Sequence, residues 1–418
     1  MSDPARYSLD WYAGPSAQVE IFSPISKRKT RYGFKYTPPF RATMRPPVEL
    51  LALGKTDLEP IDSQLEELAS ALSPRSAARP GRAREKAQPA LASMERIGAM
   101  LMDLICPDYV KADLRPGPLF LEIGMDEGLL RYPWELMHDG TEFLCLKHYV
   151  GRYVNTFTSA ASPAAGSSQL GADLEPLKVL IIAVPGPQDF KGKSFDRLPA
   201  AQQEAQDLLD TLTALPGVEP TLLLGSEAIF DNVYATLKAG VNHIIHFCGH
   251  AYFDKKNPQE RSLVLHDKPM TTGAIARFFP KTHPILCFIN ACDSTRASGK
   301  DKFNIFDLAR AFLDTGAYLL GSRWEVGDEP AAGFAKHFYT SLLGNCDPLG
   351  QAVQKARLAC RAEQGASAEL AWSSYVLYGD PRLCFRTKKP DPPAARTRAR
   401  PRQERVGGRR RARAADEG

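Results

Sequence analysis

Asn242-His243-Ile244-Ile245-His246-Phe247-Cys248-Gly249-His250 and Pro284-Ile285-Leu286-Cys287-Phe288-Ile289-Asn290-Ala291-Cys292-Asp293 decide the fold. Each segment opens as a short apolar, β-branched run, the pattern of a strand buried on both faces of a parallel sheet. Each run ends in small and polar residues, and each end carries one residue able to do chemistry. The carboxyl ends of strands form the ligand crevice of a doubly wound sheet. Two neighbouring strands would therefore deliver His250 and Cys292 to one edge.

A thiol with a pKa of about 8.5 beside an imidazole near about 6.5 can pass its proton at neutrality. The thiolate can then attack a carbonyl while the imidazolium returns the proton to the leaving amine. Backbone N–H groups of Gly249, Ala251 and Cys292 are the candidate donors to the oxyanion. A competing reading remains. His246, Cys248 and His250 share one strand face by period two, and with Cys292 they offer a zinc ligand set. The plainer role for His246 is a core residue that orients His250. Gly249 is expected to break the strand and release His250 towards the thiol, which favours the dyad and no metal.

Outward from these strands the pattern alternates. Lys178–Val184 and Pro220–Leu224 read as strands, and helical spacing follows from Ala200 and over Ala228–Leu237. After Cys292 come a helix over Asp301–Leu313, a strand over Ala317–Arg323, and helices over Pro330–Leu343 and Leu349–Ala362. This is the signature of a mostly parallel α/β sheet flanked by helices. Gly186–Ser194 imitates a phosphate loop, but its glycines are wrongly spaced and Pro187 lacks an N–H, so no nucleotide site is expected. In the first half, Val48–Leu53, Leu119–Ile123 and Cys145–Val154 read as strands and Leu91–Ile105 as a helix. Residues 74–90 have linker composition. Aromatics interleave with cations before residue 45, a pattern open to nucleic acid but more simply an edge hairpin with its rings turned inward. His337 reads as structural, and His266 and His283 as surface residues.

Further motifs stand around the two strands in a fixed order: Tyr132-Pro133-Trp134-Glu135-Leu136, Leu198-Pro199-Ala200 with Glu204, His246-Phe247-Cys248-Gly249-His250, Asn290-Ala291-Cys292-Asp293, Gly321-Ser322-Arg323-Trp324-Glu325-Val326-Gly327-Asp328 and Tyr378-Gly379-Asp380-Pro381. Together they resemble the CHAT peptidases, caspase-like cysteine proteases of bacteria akin to separase. The resemblance implies a caspase-like fold with an N-terminal pseudo-protease lobe, and a cysteine-type endopeptidase with Cys292 as nucleophile and His250 as base. Composition and the resemblance, which covers roughly residues 50–385, together divide the chain into an N-terminal segment 1–45, a non-catalytic lobe 46–156, a linker 157–172, a catalytic lobe 173–387 and a basic tail 388–418. The resemblance also implies a protein substrate, a regulatory protein partner, and a role in defence or cell death. Two positions depart from the family pattern: Ala251 replaces the Gly that follows the His, and Asp293 replaces a Glu. Ala251 supports an alternative in which the fold is a catalytically weak scaffold or binding module. Asp293, Asp254, Asp328 and Arg323 are the candidates for the substrate pocket. The acids outnumber the cation, so a basic or neutral residue is expected before the cut.

The 418 residues carry a net charge of +5, unevenly distributed. From Arg386 to Gly418 there are twelve basic and four acidic residues, so the rest of the chain, with 41 basic against 44 acidic, carries −3. The eight cysteines are scattered without a CxxC pair, the usage of a reducing compartment such as the cytoplasm. No apolar run reaches the ~18 residues of a membrane span and no leader pattern opens the chain. No cofactor is implied. The Pro- and Arg-rich tail is expected to be disordered. Contact with nucleic acid by charge and a solvated tail with no specific role both stay open. Deleting residues 388–418 is expected to leave peptide turnover unchanged; a measured loss of turnover would give the tail a part in the reaction.

Overall fold

The computed structural model describes residues 6–22, 31–39, 48–72, 82–155, 173–190, 192–252, 257, 260–279, 284–292, 306–324, 326–363 and 368–388. Residues 157–172, the tail from 389, Asp254, Asp293, His283 and residues 74–81 of the expected linker 74–90 lie outside the described residues; the rest of that stretch, from Arg82, is helical. For Cys292 and Asp328 the backbone alone is described.

The strands of the first half are β1 (Arg6–Trp11), β2 (Ser16–Phe22), β3 (Arg31–Thr37), β4 (Val48–Gly54), β5 (Phe120–Met125) and β6 (Tyr149–Val154). Then follow β7 (Asp173–Leu174), β8 (Leu177–Ala183), β9 (Gln188–Phe190), β10 (Lys193–Phe195), β11 (Val218–Leu224) and β12 (Ile244–Tyr252). The chain continues through β13 (Ser262–Val264), β14 (Pro269–Thr271), β15 (Leu286–Cys292), β16 (Tyr318–Ser322), β17 (Tyr375–Tyr378) and β18 (Leu383–Lys388). A 13-stranded sheet dominates, with the path β11-β8-β12-β15-β16-β17-β6-β5-β2-β3-β4. From β11 to β16 the strands are parallel; β17 is antiparallel to β16, and β3 and β4 are antiparallel to their neighbours.

Burial follows composition. All nine positions of β12 are buried, as a strand covered on both faces requires. The helix Pro199–Thr213 turns Ala201, Glu204, Ala205, Leu208 and Leu212 inward, an apolar stripe with one carboxylate in it. It packs against the helix Asp328–Tyr339, which in turn packs against Leu349–Ala362. Phe334 and Tyr375 stack with centroids 3.5 Å apart at the centre of this layer.

Several boundaries differ from the sequence reading. Gly249 does not end its strand: β12 runs through to Tyr252, because residues 251 and 252 find a new ladder partner in β13. The helix expected from Leu91 begins at Arg82, where Arg, Glu, Lys and Ala are strong helix formers. Cys145 lies in a one-turn helix, Leu144–Lys147, closed by the His148 N–H on the Leu144 carbonyl at 2.7 Å. The division at residue 45 is not a break in the sheet. β2 alternates buried and half-buried positions and lies between β5 and β3, and β1 pairs along its length with β18. Tyr7, Phe34 and Tyr36 are buried and Lys35 pairs with Glu20 at 2.5 Å, so these rings face the core. The phosphate-loop imitation forms the hairpin β9–β10.

The two halves of the sheet meet where β17 runs beside β6, with Tyr378 opposite Arg152. Arg152 is 1 % exposed and donates through Nε and Nη2 to the Glu135 carboxylate. Its Nη1 and Nη2 also reach the carbonyls of Leu130 at 2.9 Å and Tyr132 at 2.8 Å. Burial raises the Glu135 carboxyl, but the Arg152 guanidinium outweighs it and holds the group below its ordinary range. Removing one member of a buried ion pair leaves a charge uncompensated. Glu135→Ala is therefore expected to cost ~3–5 kcal/mol of folding stability, read as a lower denaturant midpoint. An unchanged midpoint would mean that the backbone carbonyls alone satisfy Arg152.

Candidate active site

The edge that carries the candidate residues is built by the register of two strands. β12 and β15 run parallel with Ile244 opposite Leu286, Cys248 opposite Asn290, and His250 opposite Cys292. Adjacent strands lie about 4.8 Å apart. Both positions belong to the last rung of that ladder, at the carboxyl ends. Strand alternation puts positions 288, 290 and 292 on one face, and 246, 248 and 250 likewise.

That face is held by a buried carboxylate. Glu204 Oε1 accepts from His246 Nε2 at 3.0 Å and from Asn290 Nδ2 at 2.8 Å, joining the helix Pro199–Thr213 to β12 and β15 at once. Tyr375 donates to Asn290 Oδ1 at 3.1 Å, and the Tyr339 hydroxyl lies 3.3 Å from His246 Nδ1. The His246 ring also meets Phe288 edge-on at 4.9 Å. So His246 is fixed by Glu204 and Tyr339, as a core histidine with both ring nitrogens engaged. Among the described side chains, which do not include that of Cys292, the cluster that meets here is Glu204, His246 and Cys248, all buried, and not the alternative zinc set built on His246, Cys248 and His250. Its imidazole and carboxylate already have protein partners, and the Cys248 thiol points to the carbonyls of Ala201 at 3.6 Å and Ile182 at 3.8 Å.

His250 is placed differently. It is 2 % exposed, and its Nε2 lies 2.7 Å from the Asp196 carbonyl, which fixes that nitrogen as the N–H donor. The ring's lone pair then belongs to Nδ1. Phe195 packs on the ring at 5.0 Å, so the end of the β9–β10 hairpin sets both the tautomer and the tilt. No other histidine of the fold is in a comparable position among the described residues. His243 sits at the opposite end of β12, accepts from the Lys178 amide at 2.9 Å, and is lowered to about 4 by burial and by Lys178. His148 is lowered to about 4 by burial, between the Leu119 amide and the Leu114 carbonyl. His337 is half exposed beside Glu363, and His266 is exposed. Among thiols, burial pushes Cys248 and Cys287 up, away from the thiolate a nucleophile needs.

The candidates for the oxyanion and the pocket separate. Gly249 lies in the ladder opposite Ala291, and a Cβ there would come within 2.9 Å of the Phe247 ring. Ala251 is fully buried opposite Leu263 of β13. Arg323 does not line an open pocket. It is 6 % exposed and its guanidinium donates to the carbonyls of Leu130, Arg131 and Tyr132 from the first half of the chain. A side chain just past a strand end reads as a site residue in sequence, whereas its three acceptors are backbone oxygens with no sequence signature. Glu204 left a better clue, a carboxylate at the i+3 place of an apolar helical stripe.

Residues 95–380 match the CHAT domain family. No curated protein matches the chain. Among solved structures, the Saccharomyces cerevisiae separase–securin complex aligns with TM-score 0.54 at 12 % identity, over 87 % of this chain and 30 % of separase's. A second structure of that complex gives 0.50 at 11 % identity with the same coverage. The Arg-specific cysteine proteinase gingipain R of Porphyromonas gingivalis gives 0.45 at 13 % identity, over 71 % of this chain and 68 % of that one. At these identities the likeness to separase is one of fold. No helix among the described residues is long and apolar enough to cross a membrane.

Glu204→Ala would leave two buried donors without their acceptor, each at about 1–3 kcal/mol. We expect a stability loss of ~3 kcal/mol in chemical denaturation, with secondary structure retained by circular dichroism. A wild-type midpoint in that variant would show that the network does not hold the strands.

Proposed function

The chain belongs to the CHAT domain family, and from that premise we propose that it is a cysteine endopeptidase with Cys292 as nucleophile and His250 as general base and acid. One observation carries the reading: His250 and Cys292 are paired residues on the last rung of two adjacent parallel strands. His250 accepts the Cys292 thiol proton through Nδ1, the nitrogen left as acceptor when Nε2–H donates to the Asp196 carbonyl. The thiolate attacks the scissile carbonyl carbon, forming a C–S bond and an oxyanion that takes hydrogen bonds from backbone N–H groups of Cys292 and of Gly249 or Ala251. As the C–N bond breaks, the imidazolium gives its proton to the leaving amine. Water, deprotonated by His250, then cleaves the thioester and restores thiol and imidazole.

The substrate is a specific protein, cut after a basic or neutral residue. Engagement of Arg323 by first-half carbonyls removes the one described cation that favoured an acidic residue there, leaving Asp254, Asp293 and Asp328 as pocket candidates. The first half, whose sheet continues the second's and in which no strand end pairs a Cys with a His among the described residues, serves as the family's pseudo-protease lobe. A protein partner supplies the activating signal, in defence or cell death in the cytoplasm. Separase, a solved protein of similar fold, is itself seen in a complex with securin. A second reading, a scaffold of the same fold with weak or no catalysis, is favoured by Ala251. Its backbone lies in the ladder with β13, directly after the proposed base.

Cys292→Ala and His250→Ala are each expected to abolish cleavage of fluorogenic peptides ending in Arg, Lys or Leu while still unfolding in one cooperative transition. A thiol probe should label Cys292 promptly, and more slowly in His250→Ala. Full cleavage by Cys292→Ala would end the peptidase proposal, and a strong preference for Asp-ending peptides would overturn the assigned specificity.

A further inference from the structure

Arg323 follows β16, the strand beside the nucleophile strand, and its surroundings belong to the other half of the molecule. Its Nη1 donates to the Arg131 carbonyl, and its Nη2 to those of Leu130 at 3.0 Å and Tyr132 at 2.9 Å. The Leu130 and Tyr132 carbonyls also accept from Arg152 of β6, at 2.9 and 2.8 Å. Two guanidiniums, one from each half, thus share one arc of backbone oxygens. Among the described residues the carboxylate at the arc is Glu135, which bonds to Arg152 of the pair. Such a site is demanding: burial, and then the neighbouring Arg152 guanidinium, lower Arg323 to about 10. Among the described residues the buried cations here outnumber the anion, so the arc is a poor source of stability as an ion pair and its worth lies in geometry.

Geometry leads to the nucleophile. The Arg323 amide donates to the Ser374 carbonyl at 2.7 Å, fixing the residue's own backbone. One residue earlier, Ser322 Oγ donates to the Ala291 carbonyl at 3.4 Å. That carbonyl belongs to the peptide bond leading into Cys292. Pairing of β15 with β16 ends at Ile289 opposite Gly321, short of this point. The end of β15 is therefore held on the β16 side by the Ser322 hydroxyl, on a residue whose successor is anchored in the first half.

We propose that Arg323 is a positioning residue that couples the first half of the chain to the nucleophile strand, through the Leu130–Tyr132 carbonyl arc on one side and Ser322 and the Ala291 carbonyl on the other. The part of the proposal that concerns catalysis rests on the peptidase reading; the mechanical tie does not. A planar guanidinium reaches three carbonyls at fixed angles, and an ammonium cannot reproduce that fork. Arg323→Lys keeps the charge and loses the arc.

The test compares full-length wild type with Arg323→Lys. Hydrogen exchange over residues 286–292 is expected to quicken in the variant, because the end of β15 loses its support on the β16 side. On peptide substrate, kcat should fall about tenfold with KM within about twofold, since a displaced nucleophile weakens the chemical step more than binding. The pH profile of Cys292 alkylation by iodoacetamide should shift with it, a readout that a purely structural loss would leave unmoved. A folded Arg323→Lys with wild-type exchange over 286–292, kcat and alkylation profile overturns the proposal. If Arg323→Lys does not fold, Ser322→Ala takes its place: faster exchange over 286–292 supports the tie and unchanged exchange overturns it. Wild-type protein that cuts no peptide and leaves Cys292 unalkylated would remove the peptidase reading, and the exchange comparison would still decide the tie.

Discussion

The sheet edge that carries His250 and Cys292 depends on a carboxylate in the core. Removing a charge from water costs several kcal/mol unless hydrogen bonds replace the lost solvent. Glu204, 4 % exposed, meets that cost through His246 on β12 and Asn290 on β15, and Tyr339 and Tyr375 complete the partners of those two residues. A network closed in this way permits one register only. Slipping β15 by one residue would turn Asn290 off the face that holds Glu204 and carry position 292 away with it. The polar core thus specifies alignment where apolar burial by itself would tolerate alternatives. Its strand members, Asn290 and His246, lie two and four residues upstream of the rung that pairs His250 with Cys292.

Orientation of the proposed base comes from a different quarter. The β9–β10 hairpin brings Phe195 against the imidazole and is followed at once by Asp196, whose carbonyl holds Nε2. A backbone acceptor serves as well as a carboxylate for selecting a tautomer, and it adds no charge to a site that is nearly closed to solvent. Phe190 meets Tyr252 edge-on at 5.0 Å and Lys193 lies 4.7 Å over the same ring. The hairpin is thereby packed on the strand that carries His250, and its position and the ring's tilt move together.

The joint between the halves uses backbone oxygens where a sequence reader looks for side chains. Arg152, Arg323 and Arg357 are all buried, and each donates to main-chain carbonyls: Arg357 to Trp372 at 3.2 Å and Tyr375 at 2.6 Å. Arginine suits this because its flat, weakly hydrated fork addresses several carbonyls at once. The Tyr132-Pro133-Trp134-Glu135 motif then has a physical role: Trp134 Nε1 donates to the Leu129 carbonyl at 2.8 Å and pins the turn whose next oxygens face the arginines.

Sequence alone marked the central strands and their burial, since apolar, β-branched runs such as Ile244–Phe247 and Leu286–Ile289 suit the middle of a parallel sheet. It also put a thiol and an imidazole at matching strand ends, and the ordered motifs around them carried the family. Tertiary structure decided what local patterns do not encode. Gly249 is permissive of a break but does not impose one, and β13 arrived to continue the ladder. Residues 1–45 read as a separate segment because the partners of β1 and β2, β18 and β5, are supplied far along the chain. Arg323 read as a pocket cation because its acceptors are main-chain carbonyls, which every residue has and no sequence distinguishes.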